Sequence, residues 1–407
     1  MLATAGPDRR RGLLPLLGPA FVASVAYVDP GNVATGTAAG AAYGTALLWV
    51  VVLANVLAVL VQYLSAKLGL ATGSDLPRLC RGRYRRPVAL ALWLQAELVA
   101  MATDIAEVVG GAVALRLLFG LPLLLGGAIT GVVSFALLAL TRRGHRPFER
   151  VTLGLLAVVL LGFAAALVRA GLQPREVLAG LLPRLPDSGS VRLAAGLLGA
   201  TVMPHAVYVH SRLTGQRTRN AGLPERRQLL RAQSVDIPVA MGLAAAVNVS
   251  LLLLASSVFH TRGRPAPSIE AVHAGLGDLL GPVVALLFAL GLLASGLASS
   301  SVGTLSGQVV MAGFLGRTLP VTLRRAVTLL PALLLLALGV DATTALVDSQ
   351  VVLSFGLPFA LVPLLLLTRD PRVMGEFVNR RPTTAALGLV LALVVGLDLA
   401  LVLPLVR

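Results

Sequence analysis

The residues best suited to chemistry stand four in a row, Asp29-Pro30-Gly31-Asn32, inside an apolar stretch from Leu13 to about Gly36. A carboxylate at bilayer depth costs ~2.5–3.5 kcal/mol on insertion scales, so such a residue is by default functional. Pro30 lacks an amide donor and Gly31 loosens the backbone, which predicts a helix broken at this point. Broken backbone in lipid is tolerated only where protein or a water-lined cavity satisfies it. A carboxylate, a side-chain amide and freed carbonyls at that depth make a cation site. Asp29 would bring negative charge and Asn32 a neutral oxygen. The structural alternative is an Asp capping a half-helix, with Asn32 closing a turn.

A second break falls within Gly199-Ala200-Thr201-Val202-Met203-Pro204-His205. In isolation Met203 reads as core filler. Beside a broken helix that faces a carboxylate, its thioether is a soft ligand that suits late first-row metals and offers little to Mg²⁺ or Ca²⁺. Asp, Asn, carbonyl and thioether together suggest Mn²⁺, Fe²⁺ or heavier relatives. Histidine titrates near neutral pH, which suits proton handling and makes His205 and His210 candidates for it. A histidine hydrogen-bonded to hold the bend explains His205 equally well, and His210 suits structural or gating use.

Glu97, Asp104 and Glu107 are spaced to line one face of a helix. Lipid-facing and unpaired they would cost several kcal/mol, so they must line a polar interior or be partly protonated. Arg324 and Arg325, at the start of a later apolar run, are the expected cationic partners. The group is a candidate proton wire separate from the metal site, or a structural ion-pair cluster between two helices. Gln350, in Asp348-Ser349-Gln350, is a further intramembrane polar group, for which interhelical hydrogen bonding is the common explanation. The run Ser295-Gly296-Leu297-Ala298-Ser299-Ser300-Ser301 is expected to permit close helix approach, without a chemical role. Asp236, Asn248 and Asp398 have no assigned role.

The elements that must position these groups are membrane spans. The chain has 407 residues, 57% hydrophobic and 13% charged, with a mean hydropathy of +0.87. Apolar runs of about 20 residues recur along it and leave no room for a sizeable soluble domain. Eleven spans are expected, roughly at 13–36, 46–71, 88–118, 121–140, 151–170, 191–211, 234–258, 279–314, 322–340, 344–367 and 384–405. The first carries the Asp-Pro-Gly-Asn break and no convincing cleavage site, so it is not read as a removed signal peptide. The longest polar connections, at roughly 72–87, 171–190, 212–233 and 259–278, read as surface loops.

A net charge of +16 is compatible with nucleic-acid binding, but the placement of the basic residues argues otherwise. With the N-terminus cytosolic, 26 of the 34 Lys and Arg fall in inner segments and 8 elsewhere. That asymmetry fits the positive-inside rule and puts the N-terminus in the cytosol and the C-terminus outside. Contact with anionic lipid is a secondary effect of the same charge. The single cysteine, Cys80, allows no intrachain disulfide.

The two breaks lie five spans apart. Helices broken at equivalent places in two halves point to a midplane transport site built on inverted repeats. Five is odd, so the second unit enters the membrane from the opposite side. Residues 1–171 (spans 1–5) and 172–368 (spans 6–10) would be the repeats, and 369–407 an added eleventh helix. No Walker A loop is present, so ATP is not the direct energy source, and His-Glu-x-x-His and Gly-x-Ser-x-Gly are also missing from the sequence.

Asp29-Pro30-Gly31-Asn32 and Met203-Pro204-His205 resemble the two signature motifs of the Nramp family of proton-coupled divalent-metal transporters. Ala23-Ser24-Val25-Ala26-Tyr27, the run Gln95 to Asp104, Gly199-Ala200-Thr201-Val202 and Ser349-Gln350-Val351-Val352-Leu353 agree with it, and the likeness spans roughly residues 12–380. The resemblance implies an all-α LeuT-like fold of eleven helices, with helices 1 and 6 discontinuous. It implies metal ligation by Asp29, Asn32, Met203 and the carbonyls of Ala26 and Ala200, with Gln350 joining in some conformations. It also implies a proton route that starts near Asp29 and His205 and continues through Asp104, Glu107, Glu97, Arg324 and Arg325.

The expected function is a secondary active transporter in the plasma (inner) membrane, not an enzyme. It would import Mn²⁺, Fe²⁺ and related ions such as Cd²⁺, Co²⁺ and Zn²⁺ with protons, with no permanently bound cofactor. Its partners would be metal ions, protons and the lipid bilayer, with no nucleic acid and no protein partner implied. The rival readings are an ion-coupled amino-acid or amine transporter of the same fold and a Mg²⁺-preferring variant. A carboxylate substrate would disfavour Asp29 in the site and leave Met203 idle.

Overall fold

A computed structural model describes residues 27–141, 167, 174–218, 221–263 and 268–406. The regular elements among them are helices, with no strand. In chain order they are α1 (Pro30–Tyr43), α2 (Leu48–Thr72), α3 (Leu76–Arg83), α4 (Arg86–Phe119), α5 (Leu123–Thr141), α6 (Pro174–Ala179), α7 (Ser188–Val202) and α8 (Pro204–Arg217). There follow α9 (Leu223–Val258), α10 (Ile269–Leu280), α11 (Pro282–Leu315), α12 (Val321–Ala337), α13 (Ala342–Thr368), α14 (Pro371–Met374) and α15 (Arg381–Val406).

Local chemistry sets the helix ends. Asp29, Asp75, Ser268 and Asp341 each accept a backbone N–H three residues on, and Asp187 and Ser190 form a reciprocal capping box. Gly73, Gly120 and Gly316 terminate α2, α4 and α11 in the left-handed conformation that a Cβ disfavours. Among the described residues, seven helical segments are long and apolar enough to cross a membrane: Leu48–Thr72, Arg86–Phe119, Ser188–Arg217, Leu223–Val258, Pro282–Leu315, Ala342–Thr368 and Arg381–Leu403.

The burial pattern is that of a protein dissolved in lipid. Leu98, Val132 and Leu330 are more than half exposed on helix flanks, whereas Asp29, Asp104, Glu107, His205, Arg325 and Gln350 are buried. Polar groups face the middle and apolar ones the rim, as a hydrocarbon solvent demands. α4 packs along α11 and α13, α1 against α9 and α7, α7 against α13, and α8 against α2. The two broken segments are thereby enclosed by the longest helices.

Several boundaries depart from the sequence expectation. α1 continues to Tyr43, beyond the expected end near residue 36, and α9 begins at Leu223, eleven residues before its apolar run. Backbone hydrogen bonding carries a helix past the bilayer edge, while hydropathy registers only the immersed part. The connections at 72–87, 171–190 and 259–278 contain α3, α6 and α10, so they are not plain loops. α10 has Ile269, Val272 and Leu276 buried on one face, which anchors it on the bundle. The expected span at 151–170 lies outside the described residues, apart from helical Leu167.

Candidate metal site

Asp29 is the N-cap of α1. Its Oδ1 accepts from the Asn32 backbone N–H and from Asn32 Nδ2, both at 2.8 Å. Its Oδ2 is buried without a hydrogen-bond partner. The cap therefore uses one oxygen, which holds the helix start, and the other is left over. Buried acceptors normally find a donor, so the second oxygen is a place for a cation or a proton.

The second break is built by Met203. Its φ of 42° is the only positive value for a non-glycine among the described residues, and it separates α7 from α8. Such a conformation costs about 1–3 kcal/mol and persists where the surroundings impose it. Pro204, next in the chain, has no N–H to give to a continuous helix. Met203 is fully buried.

The two breaks meet. Asn32 Nδ2, while donating to Asp29, also donates to the Ala200 carbonyl at 2.9 Å, and Thr201 Oγ1 donates to Asn32 Oδ1 at 3.3 Å. The start of α1 is pinned from two further helices. Asn248 of α9 donates to the Tyr27 carbonyl at 3.3 Å, and Ser295 of α11 donates to the Val28 carbonyl. Gln350 of α13 lies across Gly31, where a Cβ would overlap its side-chain amide. Glycine is thus required at that point for α13 to bring Gln350 to the break. Gln350 Nε2 donates to Ser349, and its Oε1 is buried without a partner. Asp29, Asn32, Ala200, Met203 and Gln350 are therefore gathered at the broken helices, while Ala26 lies outside the described residues. Among the described residues no three of His, Cys, Asp and Glu cluster in a metal-holding arrangement.

A charged flank lies on α4, α11 and α12. Arg325 donates to Asp104 Oδ1 at 2.9 Å and to Thr304 Oγ1 at 2.9 Å, and it also bonds Ser300 Oγ. Its Nη2 stands 3.6 Å from Glu107 Oε2. Arg324 pairs with Glu97 at 2.8 Å, nearer the surface. Gly307 makes room for Arg324, since a Cβ there would overlap the guanidinium. His205, in the first turn of α8, joins the flank through its Nδ1, 3.3 Å from Thr103 Oγ1. That hydroxyl already donates to the Val99 carbonyl, so the imidazole is the donor to Thr103.

His210 is placed elsewhere. Its two ring nitrogens face Gln62 Oε1 at 2.8 Å and Gln233 Oε1 at 3.0 Å. Gln62 in turn bonds the Tyr27 hydroxyl, and Gln233 donates to Asp236 at 3.3 Å. The result is a polar chain through α2, α8 and α9 that reaches the turn just before Asp29, and it has no member in common with the Arg324–Arg325 cluster.

The serines of α11, in the run expected only to permit close helix approach and at Ser306 beyond it, also make hydrogen bonds to neighbouring helices. Ser295 holds the Val28 carbonyl, Ser300 bonds Arg325 and Ser134, and Ser306 donates to the His205 carbonyl at 3.3 Å. Tyr27, Gln62, Thr103, Thr201 and Gln233 were also missed. The available signal was polarity inside apolar spans, in Gln62 and Asn248 above all; the partners of these groups on other helices are 23 to 267 residues away.

A family model described as "Natural resistance-associated macrophage protein-like" (Nramp) matches residues 20–404. The chain is 55% identical over 384 residues to the divalent metal cation transporter MntH of Mycobacterium tuberculosis H37Rv, covering 94% of this chain and 89% of that one. The solved manganese transporter of Eremococcus coleocola superposes with a TM-score of 0.85 at 32% identity, covering 98% of this chain and 88% of that one. Mhp1, a nucleobase-cation-symport-1 family transporter of the LeuT fold, gives a TM-score of 0.62 at 19% identity over 95% of this chain and 89% of that one, a likeness of fold alone. These relatives are named as transporters, not enzymes. Matched over nearly its whole length, the chain belongs to the Nramp family and is a multi-pass membrane transporter.

Proposed function

We propose that the chain imports divalent transition metals, Mn²⁺ and Fe²⁺ foremost with Cd²⁺, Co²⁺ and Zn²⁺ as related cargo, in symport with protons by alternating access. The observation that carries this reading is the Asn32 amide. Its NH₂ bridges a carboxylate oxygen and a main-chain carbonyl from two different broken helices, the place a cation would take between them. Turning that amide over would present Oδ1 to a cation there, with Asp29 Oδ2 as a second oxygen and the Met203 thioether of the other break as a soft donor. One carboxylate, neutral oxygens and a soft sulfur favour a late first-row ion over Mg²⁺ or Ca²⁺. Ala26 and Ala200 would add carbonyls, and Gln350 would join as the helices move.

Protons would be taken up near Asp29 and His205 and passed along α4 and α12 by Asp104, Glu107, Glu97, Arg324 and Arg325, while His210, midway along α8, would act on the separate chain through Gln62 and Gln233. The contact of His205 with Thr103, next to Asp104, supports a link between the two regions. One positive charge moving inward across 100 mV gains ~2.3 kcal/mol, so the metal has an inward drive of its own and proton coupling can be loose.

In this reading eleven helices form a 5+5 inverted repeat, residues 1–171 and 172–368, with 369–407 added. The repeat helices carrying α1 and α7–α8 rock against a scaffold that contains α4 and α11. The N-terminus is cytosolic, the C-terminus is outside, the inner membrane is the location, and the working unit is a monomer.

The deciding experiment is Mn²⁺ uptake into proteoliposomes that hold the purified protein, with an internal pH dye, competing Mg²⁺ and an Asp29→Ala control. Saturable uptake that acidifies the lumen, resists excess Mg²⁺ and disappears in the variant is expected. Uptake blocked by Mg²⁺ and indifferent to Asp29 would overturn the site assignment.

A further inference from the structure

A cavity of about 450 Å³ opens where α3, the start of α4 and the end of α11 come together, away from the broken helices. Arg81, Arg86, Arg317 and Tyr84 supply its polar wall, and Leu90 and Phe314 supply apolar wall. Three neighbouring arginines are already used: Arg78 and Arg212 both pair with Asp75, at 3.3 and 3.1 Å, and Arg83 pairs with Asp370 at 3.2 Å. Among the described residues no carboxylate lies within ion-pair distance of Arg81, Arg86 or Arg317. Three guanidinium groups, brought together by three helices, thus face one hollow without a counter-charge. The first amides of the 34-residue α4 add to the field, because its N-cap, Arg85, makes no side-chain cap.

The hollow continues into an apolar track. Leu90, Leu94 and Leu98 follow one another at four-residue spacing along α4 and are 40%, 55% and 54% exposed. They share one helix face and run from the arginines toward the middle of the bundle's height. A free phosphate would use the arginines and leave this track idle. A phospholipid uses both, its phosphate in the guanidinium fork and an acyl chain along the leucines.

We propose that this cavity is a specific site for the phosphodiester of an anionic phospholipid, in the leaflet that borders α3. It is distinct from the general attraction of a basic face to a charged membrane, since the paired arginines around it are not part of it. The site does not depend on what the transporter carries. In the orientation proposed above, the leaflet is the inner one.

The test is lipid retention by the purified, delipidated full chain in neutral detergent, read by native mass spectrometry. Phosphatidylglycerol is compared with phosphatidylcholine, and inorganic phosphate serves as competitor. One phosphatidylglycerol is expected to bind about a hundredfold more tightly than phosphatidylcholine, from about fivefold for each of the three unpaired arginines. Arg86→Gln with Arg317→Gln should cut that preference to about the fivefold that Arg81 alone supplies, whereas Arg192→Gln, whose partner Asp348 lies in another part of the chain, should keep it. Equal binding of the two lipids by the unmodified chain overturns the proposal, and this arm does not depend on any variant folding. Displacement of the lipid by millimolar phosphate would reassign the cavity to a soluble anion. Undiminished preference in a double variant with an unchanged melting temperature would remove the arginines from the site.

Discussion

Asn32 reaches from one broken helix to the other, its amide nitrogen 2.9 Å from the Ala200 carbonyl and 2.8 Å from Asp29 Oδ1. A single side chain therefore fixes the distance between the two half-helix ends. Asn32→Ala keeps the backbone N–H that Asp29 caps but removes the bridge and the neutral oxygen. Hydrogen bonds to charged groups contribute about 1.5–3 kcal/mol, so Mn²⁺ affinity should fall roughly ten- to a hundredfold. Isothermal titration of the purified variant checks this, and affinity within twofold of the unmodified chain would remove Asn32 from the site.

Met203 sits in a backbone conformation that few side chains favour, fully buried at the break. Met203→Ala keeps the break, because Pro204 and the surrounding packing remain. Preference for Mn²⁺ over Ca²⁺ should fall by roughly tenfold, equivalent to about 1.4 kcal/mol, more than Mn²⁺ uptake itself falls. Competition uptake in proteoliposomes measures the ratio, and unchanged selectivity would make Met203 a packing residue.

Arg325 and Arg324 are adjacent in sequence but unequal in setting. The Arg325 and Asp104 side chains are 2% and 5% exposed, whereas those of Arg324 and Glu97 are 8% and 14% exposed. Removing one partner of a buried pair strands the other, at a cost of about 3–5 kcal/mol. Arg325→Ala should therefore lower the melting temperature in detergent more than Arg324→Ala. Asp104→Asn should reduce proton flux while metal uptake is partly retained. Equal loss of both fluxes would give the cluster a structural role only.

Cys80 is 1% exposed in α3, outside the membrane spans. Burial, with the Asp75 charge adding to it, pushes its thiol up to about 12. At pH 7.5 the reactive thiolate is then a fraction below about one in ten thousand. Iodoacetamide should leave the folded protein unmodified over an hour and label it fully in denaturant. Rapid labelling of the native protein would show that α3 detaches from α11.

The sequence by itself determined the membrane class, the two breaks and the polar residues at them. Each is a local signal: Pro beside Gly removes hydrogen bonds wherever it stands, and a carboxylate in hydrocarbon is costly whatever surrounds it. It also paired Glu97, Asp104 and Glu107 with Arg324 and Arg325, because charges of opposite sign at bilayer depth have few other ways to be satisfied. Tertiary structure alone decided which group touches which. Arg325 belongs to Asp104 and Arg324 to Glu97, His205 meets Thr103, and His210 joins Gln62 and Gln233 in a separate chain. The serines of α11 became ligands of carbonyls and guanidinium groups because close packing turned one helix face toward both. Helix periodicity says which residues share a face; only the packing of α4, α9, α11 and α13 around the breaks says what that face meets.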